Sequence, residues 1–187
     1  MGGMQIFDWL GRYPDFMEKA VPIDGSLQMT SYDLLAFGAK KRIIRTLRDD
    51  GRDNAEISAI IEQINQLSLR TPEWFVENVP SRELTDFLAR DGASVYDSYD
   101  YERQQDAMML LDLLGDSPES REAWAERVSA EVLVISGRRD QMVNPASAIE
   151  AARLLEAENF FHDSNCGHLG TVCEADAVRA AVHEFLK

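Results

Sequence analysis

The most constraining feature of the sequence is a continuous apolar run in its last third. Residues 131–136, Glu-Val-Leu-Val-Ile-Ser, are rich in β-branched side chains and show no alternation of polar and apolar positions. Such a run predicts a strand that is covered on both faces, as in a parallel sheet whose crossovers are helices. Any fold for this chain must therefore supply two covering layers for this strand.

The segments after this strand repeat a strand–helix order. A helix is predicted from Pro145, with Ile149, Ala152 and Leu155 on one face, and a second short strand is predicted at 159–162. Strand, helix, strand, helix predicts parallel pairing with right-handed crossovers, and hence an α/β fold. The apolar residues that the last helix is expected to bury are Val178, Ala181, Val182 and Phe185.

Two further zones precede this α/β zone. The first predicts a helix with Met4, Phe7 and Leu10 on one face, followed by a buried strand at 19–23. The second, from about 30 to 128, has helical periodicity and no strand signal. Its predicted apolar stripes are Leu35, Ala39, Ile43 and Leu47, and then Ile57, Ile60, Ile61, Ile64 and Leu67 behind a cap at Asp53 or Asn54.

Charge and hydropathy exclude several classes of partner. The formal net charge of -14 and the pI near 4.6 repel phosphate backbones and anionic lipid headgroups, so neither nucleic acid nor membrane is an expected partner. No apolar run approaches the roughly 20 residues of a membrane span, and no signal peptide is recognisable. These features predict a cytoplasmic protein.

The two cysteines are too few for a disulfide scaffold. Cys166 and Cys173 flank His168, which gives three potential zinc ligands where a structural site takes four. We therefore expect two ordinary thiols, no metal and no cofactor. Metal-dependent chemistry through these three residues remains an alternative.

Two polar residues follow the predicted strands, at the sheet edge where ligands collect in parallel sheets. Asp140 comes just after the first strand, and His168 lies in the polar loop after the second. A carboxylate beside an imidazole fixes its tautomer and stabilises the imidazolium, which is typical of a nucleophilic triad. Asp140 could instead only cap a turn, and His168 could be an ordinary loop histidine. The remaining histidines, His162 and His183, are expected to be structural or on the surface.

A nucleophile is missing, and the opening Met-Gly-Gly-Met-Gln indicates where it belongs. In the nucleophile elbow G-x-S-x-G, a serine occupies a strained turn between a strand and a helix, and the glycines permit that turn and close helix packing. The opening residues match the positions directly after such a serine, with Met1 as the second x and Gly2 as the closing glycine. The sequence then begins one residue after its own nucleophile.

The chain resembles α/β-hydrolases of the homoserine O-acetyltransferase-like branch, through Gly2–Gln5, Trp9 and Arg12–Asp15. That resemblance implies an acid after the seventh strand and a histidine after the eighth, as at Asp140 and His168. It also implies a helical cap inserted after the sixth strand. The expected architecture is therefore α/β, the C-terminal half of an α/β-hydrolase core (1–29 and 129–187) with an all-helical cap (30–128).

The resemblance is incomplete at the nucleophile. The serine and the first half of the sheet are absent, and the only expected oxyanion donor is the backbone nitrogen of Met1. We therefore expect essentially no triad catalysis from the chain as written. An unpaired edge at 19–23 predicts self-association or pairing with a missing N-terminal half.

The residue after the histidine bears on the substrate. Homoserine acyltransferases carry an aspartate there, as the family implies, whereas this chain has Leu169. That difference favours a serine hydrolase acting on a small-molecule ester or acyl substrate. Two alternatives remain: an acyl-CoA-dependent O-acyltransferase, and a non-catalytic half-domain that acts as an interaction module.

Overall fold

A three-stranded parallel sheet forms the centre of the described structure. The computed structural model describes residues 1–91, 96–115 and 117–187, except for the side chains of Asp91 and Pro118. Residues 92–95 and 116 of the predicted helical zone lie outside the described residues. The strands are β1 (Lys19–Ala20), β2 (Glu131–Gly137) and β3 (Glu158–His162), in the spatial order β1-β2-β3. Both pairs are parallel, as predicted.

Helices occupy most of the rest of the described chain. In chain order they are α1 (Gly2–Arg12), α2 (Ser31–Asp49), α3 (Asn54–Leu69), α4 (Pro72–Asn78), α5 (Leu84–Asp91), α6 (Ser98–Met109), α7 (Pro118–Ala125), α8 (Ala146–Leu154), α9 (Gly170–Cys173) and α10 (Ala175–Phe185). Two 3-10 turns, Ser81–Glu83 and Gly167–Leu169, complete the set for the described ranges. No helix within those ranges is long and apolar enough to cross a lipid bilayer.

The central strand β2 is buried on both faces, as its composition predicts. Its residues from Val132 to Gly137 are all buried. Val132 and Val134 contribute to a cluster formed mainly by α1 and α8, whereas Leu133 and Ile135 pack against α10. Each fully buried aliphatic side chain of this kind contributes about 1.5–3 kcal/mol. The helices on the two faces of the sheet therefore pack on the same strand, β2.

The predicted strand at 19–23 is interrupted. Only Lys19 and Ala20 form a regular ladder with β2, and an isolated bridge joins Ile23 to Ile135. Pro22 lies between these segments and lacks the N–H that a ladder requires, although its carbonyl accepts from Ile135 N at 3.1 Å. β1 is an edge of the described sheet, and the self-association expected there stays a prediction.

In the segment between β1 and β2, residues 30–128, the described regular elements are helices joined by turns and loops, and one isolated bridge joins Asp112 to Gln28. We call it the helical segment, and its assignment as a separate cap domain stays a prediction. Its own apolar cluster contains Ile44, Ile57, Ile61 and Tyr101, from α2, α3 and α6. The predicted cap residue Asp53 accepts from Glu56 N at 2.9 Å and begins α3.

Four stripe assignments were wrong in detail, and two of them are Leu35 and Ala39 in α2, which are exposed. Leu35 in α2 is 73% exposed, and the buried face of α2 carries Phe37 and Ile44 instead. A spacing of four residues drifts by about 40° per step around a helix of 3.6 residues per turn, so a stripe built only on that spacing leaves the buried face. Ile149 of α8 and Leu67 of α3 are likewise exposed, and α8 packs through Ala148, Ala151 and Ala152.

The start of α1 lies directly against the turn that follows β1. A Cβ atom on Gly3 would lie 2.4 Å from the Ile23 carbonyl oxygen and 2.9 Å from Gly25 Cα. Both atoms belong to the backbone, so the contact cannot be relieved by a side-chain rotation. Glycine is therefore required at this crossing.

We expect Gly3→Ala to lower the free energy of unfolding by about 1–3 kcal/mol, because the added methyl group overpacks a backbone contact. Gly2→Ala is the matched control, since nothing lies within 4 Å of a Cβ there. Urea unfolding of both variants measures the difference. Equal stability of the two variants would contradict the close backbone crossing.

Candidate active site

Asp140 is held in a turn just beyond the carboxyl end of β2. Its side chain is fully buried, and its Oδ1 accepts hydrogen bonds from the backbone nitrogens of Met142 (2.8 Å) and Val143 (3.0 Å). Its own backbone nitrogen donates to Gly137 O at 3.2 Å. Asp140 therefore does cap the following turn, and this bonding leaves Oδ2 free for another partner.

His168 lies in the short 3-10 turn after β3 and is that partner. Its Nδ1 is 2.7 Å from Asp140 Oδ2, and its side chain is 25% exposed. The preceding Gly167 has φ +62, a left-handed conformation that favours glycine. The structure thus brings together the two residues singled out in the sequence. Their catalytic role stays a prediction.

The surroundings of His168 raise its pKa above the ordinary value. Burial is the largest single influence and lowers the pKa, but the hydrogen bond and the charge of Asp140, with the charge of Asp24, outweigh it. Because Asp140 contacts Nδ1, a neutral His168 carries its proton there and keeps Nε2 as the basic nitrogen. This is the tautomer that a general base needs.

Asp24 is a third charged group of the site, and the sequence analysis did not single it out. It follows β1, and it adopts a positive φ of 46, which is uncommon for a residue other than glycine. Its Oδ2 accepts from Thr171 Oγ1 at 3.3 Å, and the Gly137 amide also bonds its carboxyl group. Burial is the main cause of a raised pKa at Asp24, which the positive charge of His168 opposes. In the sequence, the place of Asp24 after a predicted strand is the only signal that could have identified it as a site residue.

Met1, the predicted oxyanion donor, lies at the N-terminal end of α1. Its amino group interacts electrostatically with Asp24 and His168. Burial lowers the pKa of its amino group, and the charge of Asp24 opposes that effect. The positive charge of the same group lowers the pKa of His168. The N-terminal end of α1 is thus electrostatically coupled to the Asp140–His168 pair.

His162, at the end of β3, is buried as expected for a structural histidine. Only 7% of its surface is exposed, and its ring packs against Gly137 and Gly170. Within the described chain neither ring nitrogen has a hydrogen-bond partner. His183 is exposed on α10.

The expectation of two ordinary thiols is wrong. Cys166 and Cys173 form a disulfide, with their Cα atoms 6.5 Å apart. The 3-10 turn and α9 reverse the chain between them, which brings two nearby positions within the roughly 7 Å that a disulfide requires. Bonded sulfurs are not available as thiolate ligands, so the alternative of a metal site with Cys166, His168 and Cys173 loses two of its ligands. No group of three or more metal-ligating side chains occurs among the described residues.

The helical segment is bonded to the loop that carries Asp140. Asp33, near the start of α2, is 1% exposed, and its Oδ1 accepts from the backbone nitrogen of Asn144 at 2.9 Å. Its Oδ2 accepts from Thr30 N at 3.0 Å and so also caps α2. One buried carboxylate therefore begins a helix and fixes the loop after Asp140.

A second contact joins the helical segment to the loop that carries His168. Thr71, the N-cap of α4, donates from Oγ1 to Asn165 O at 2.6 Å and accepts from Trp74 N at 3.2 Å. Asn165 Nδ2 donates in turn to Glu77 Oε2 at 2.7 Å. The junction of α3 and α4 therefore fixes the chain three residues before His168.

Two cavities differ in their relation to this site. A cavity of about 710 Å³ is lined mainly by apolar residues of α3, α4 and α5 and does not include Asp140 or His168. A cavity of about 590 Å³ is bordered by Asp140, Thr71 and Arg139. Asp140 therefore borders the second cavity, whereas His168 lines neither of these two cavities.

One curated relative matches most of the chain. A protein named "Probable acyltransferase" from Methanothermobacter thermautotrophicus is 28% identical over 177 residues, which are 91% of this chain and 52% of the relative. The chain therefore spans about half the length of the curated relative that it matches. No protein-family model matches the sequence.

Solved structures show the fold. An acetylester hydrolase from Corynebacterium glutamicum superposes with a TM-score of 0.75 at 19% identity, over 91% of this chain and 53% of that one. A homoserine O-acetyltransferase from Bacillus anthracis superposes with a TM-score of 0.82 at 18% identity, over 100% of this chain and 57% of that one. These neighbours are α/β-hydrolases, and the chain has about half of their fold. The predicted fold class is confirmed.

The raised pKa of His168 predicts a pH-dependent contribution to stability. A histidine whose folded pKa exceeds its unfolded value of 6.5 stabilises the protein fully below that value, and this contribution is lost as the pH rises through the folded pKa. We therefore expect the stability difference between the wild type and His168→Gln to shrink over that interval. Urea melts from about pH 5 to about pH 9 measure it. His183→Gln is the exposed control, and a constant difference would contradict the pairing with Asp140.

The charge of Asp24 predicts the direction of a second pKa change. Asp24→Asn removes a negative charge beside His168 and keeps a residue type that tolerates positive φ. We expect the pKa of His168, followed by NMR of its ring protons, to fall. Asp176→Asn removes the same charge at a side chain that is 97% exposed and serves as the control. An unchanged pKa in Asp24→Asn would show that Asp24 does not act on His168.

Proposed function

We propose that this chain is the part of a serine α/β-hydrolase that carries the acid and the histidine of a Ser-His-Asp triad. The observation that carries the proposal is the 2.7 Å contact between Asp140 Oδ2 and His168 Nδ1, at the ends of neighbouring parallel strands. The partly exposed imidazole and the fully buried carboxylate match the needs of a base and of its orienting group. The proposed substrates are small-molecule esters or acyl compounds.

The chemistry follows from the pair. His168 Nε2 accepts the proton of a serine hydroxyl while the serine oxygen attacks the substrate carbonyl, and the protonated imidazole then donates that proton to the leaving alcohol. Asp140 stabilises the imidazolium and holds the ring in one orientation. Water, activated by the same histidine, releases the acyl group from the serine in the second half of the cycle.

We assign the nucleophile to a serine directly before Met1 in the whole protein. The match of Gly2–Gln5 to the residues that follow the serine of a nucleophile elbow supports this position. So does the close backbone crossing of Gly3 and Gly25, which is of the kind that a nucleophile elbow requires. In the whole protein the backbone N–H of Met1 would then donate to the oxyanion of the tetrahedral intermediate.

An acyltransferase is the second candidate, because the curated relative is named a probable acyltransferase. Both activities share an acyl-enzyme and differ only in whether water or a hydroxyl compound removes the acyl group. Leu169 places an apolar side chain directly after the histidine. That residue cannot form an ion pair with an amino acid acceptor, which favours hydrolysis or a different acceptor.

The test uses the whole protein that contains this chain. We expect His168→Gln to lower kcat/KM for p-nitrophenyl acetate on the order of 10³-fold or more, and Asp140→Asn to lower it similarly, because the triad acts as a unit. His183→Gln is the matched control and should retain wild-type activity. A fluorophosphonate probe should label the serine before Met1, identified by peptide mass.

Three other outcomes carry distinct meanings. Wild-type activity in His168→Gln would overturn the proposal. A probe bound to a serine inside this chain would overturn the assignment of the nucleophile alone. Release of coenzyme A from acetyl-CoA only when a hydroxyl acceptor is present would identify an acyltransferase instead of a hydrolase.

A further inference from the structure

The loop that carries His168 is closed by a covalent bond between its two ends. Cys166 precedes His168 by two residues, Cys173 follows it by five, and the two sulfurs are bonded. Cys166 is the residue before the 3-10 turn, and Cys173 is the last residue of α9. The disulfide thus encloses the whole segment that holds the imidazole against Asp140.

The enclosed segment consists only of two very short helices. The 3-10 turn has three residues and α9 has four, and helices this short are unstable without an external constraint. Hydrogen bonds at the two ends run from Leu169 N to Cys166 O (3.2 Å) and from Glu174 N to Gly170 O (2.8 Å). The covalent bond therefore limits fraying of the turn that orients His168.

The two cysteine residues differ in their exposure to solvent. Cys166 is only 7% exposed, whereas Cys173 is an exposed residue. An attacking thiolate therefore reaches the sulfur of Cys173 more readily, and the sulfur of Cys166 is the leaving group. This asymmetry is what stepwise reduction by an external thiol requires.

We propose that the Cys166–Cys173 disulfide is a reversible thiol-exchange site, reduced by a dithiol, whose state controls how firmly His168 is held against Asp140. A thiolate of the dithiol attacks Cys173 Sγ, the S–S bond breaks, and Cys166 leaves with the electron pair and takes up a proton. The second thiol of the dithiol then attacks the mixed disulfide and releases Cys173 as a thiol. The protein disulfide gains two electrons, and the dithiol is oxidised to its own disulfide.

The effect of reduction is local. The entropy that a cross-link removes from the unfolded chain grows with the length of the loop that it closes, and here the cysteines are separated by only seven positions. Reduction should therefore leave β2 and the sheet intact while the loop opens more often. Its catalytic consequence rests on the proposed function, but the redox step and the loosening of the loop do not.

Hydrogen exchange in defined redox buffers tests the proposal. The protein is equilibrated with reduced and oxidised dithiothreitol, and differential alkylation with peptide mass spectrometry reports the state of each cysteine. We expect Cys166 and Cys173 to be bonded in air, to be reduced together under native conditions, and to reoxidise on removal of the dithiol. Amides of residues 163–174 should then exchange about tenfold faster in the reduced protein, and amides of β2 should not change.

The double variant Cys166→Ser/Cys173→Ser is the matched control. It should show fast exchange at 163–174 with and without dithiothreitol, and circular dichroism should report an unchanged overall fold. If that variant does not fold, comparison of the oxidised and reduced wild type answers the same question. Free thiols in air, a bond that native dithiothreitol leaves intact, or identical exchange in both redox states would each overturn the proposal.

Activity measurements on the whole protein that contains this chain separate this proposal from the proposed function. Faster exchange with a reversible loss of ester hydrolysis on reduction supports both proposals. Faster exchange in a protein with no hydrolase activity in either redox state supports the switch and counts against the hydrolase. Equal hydrolysis in the two states would show that the loop is held without the disulfide, which overturns control of His168.

Discussion

Burial of β2 on both faces is the constraint on which the rest of the structure depends. The buried apolar run of β2 needs one layer from α1 and α8 and another from α10, and this requirement orders the elements around it. The parallel register then pairs Gly137 with His162, so β2 and β3 end at the same level. Asp140 and His168 leave that common edge within a few residues, which is why two loops 28 positions apart can meet at 2.7 Å.

The pKa of His168 depends on burial and on two carboxylates, and not on Asp140 alone. Burial disfavours the charged form of His168, whereas the carboxylates of Asp140 and Asp24 favour it, and their influence is greater. Burial in turn disfavours the anionic form of Asp24. The carboxyl group of Asp24 accepts hydrogen bonds from Thr171 and from the Gly137 amide. The end of each of the three strands therefore contributes a group to one cluster. Such clustering of shifted groups is typical of functional sites.

The helical segment does more than cover the sheet. Asp33 reaches the loop after Asp140 across 111 positions of sequence, and Thr71 reaches the loop before His168 across 94. Both are buried residues that also cap helices, so the position of the helices and the position of the two loops are set by the same side chains. A shift of these helices would therefore move both halves of the Asp140–His168 pair.

The sequence by itself determined the α/β class, the parallel pairing and which two strand-end side chains, Asp140 and His168, meet, because strand composition and strand-end position are local properties that periodicity and order along the chain record. Only the tertiary structure decided which stripe of α2 faces inward, that Asp24 joins the site, and that Cys166 and Cys173 are bonded. Each of these depends on a distance in space between segments whose approach is fixed by packing. Sequence spacing carries no information on such distances until the fold is known.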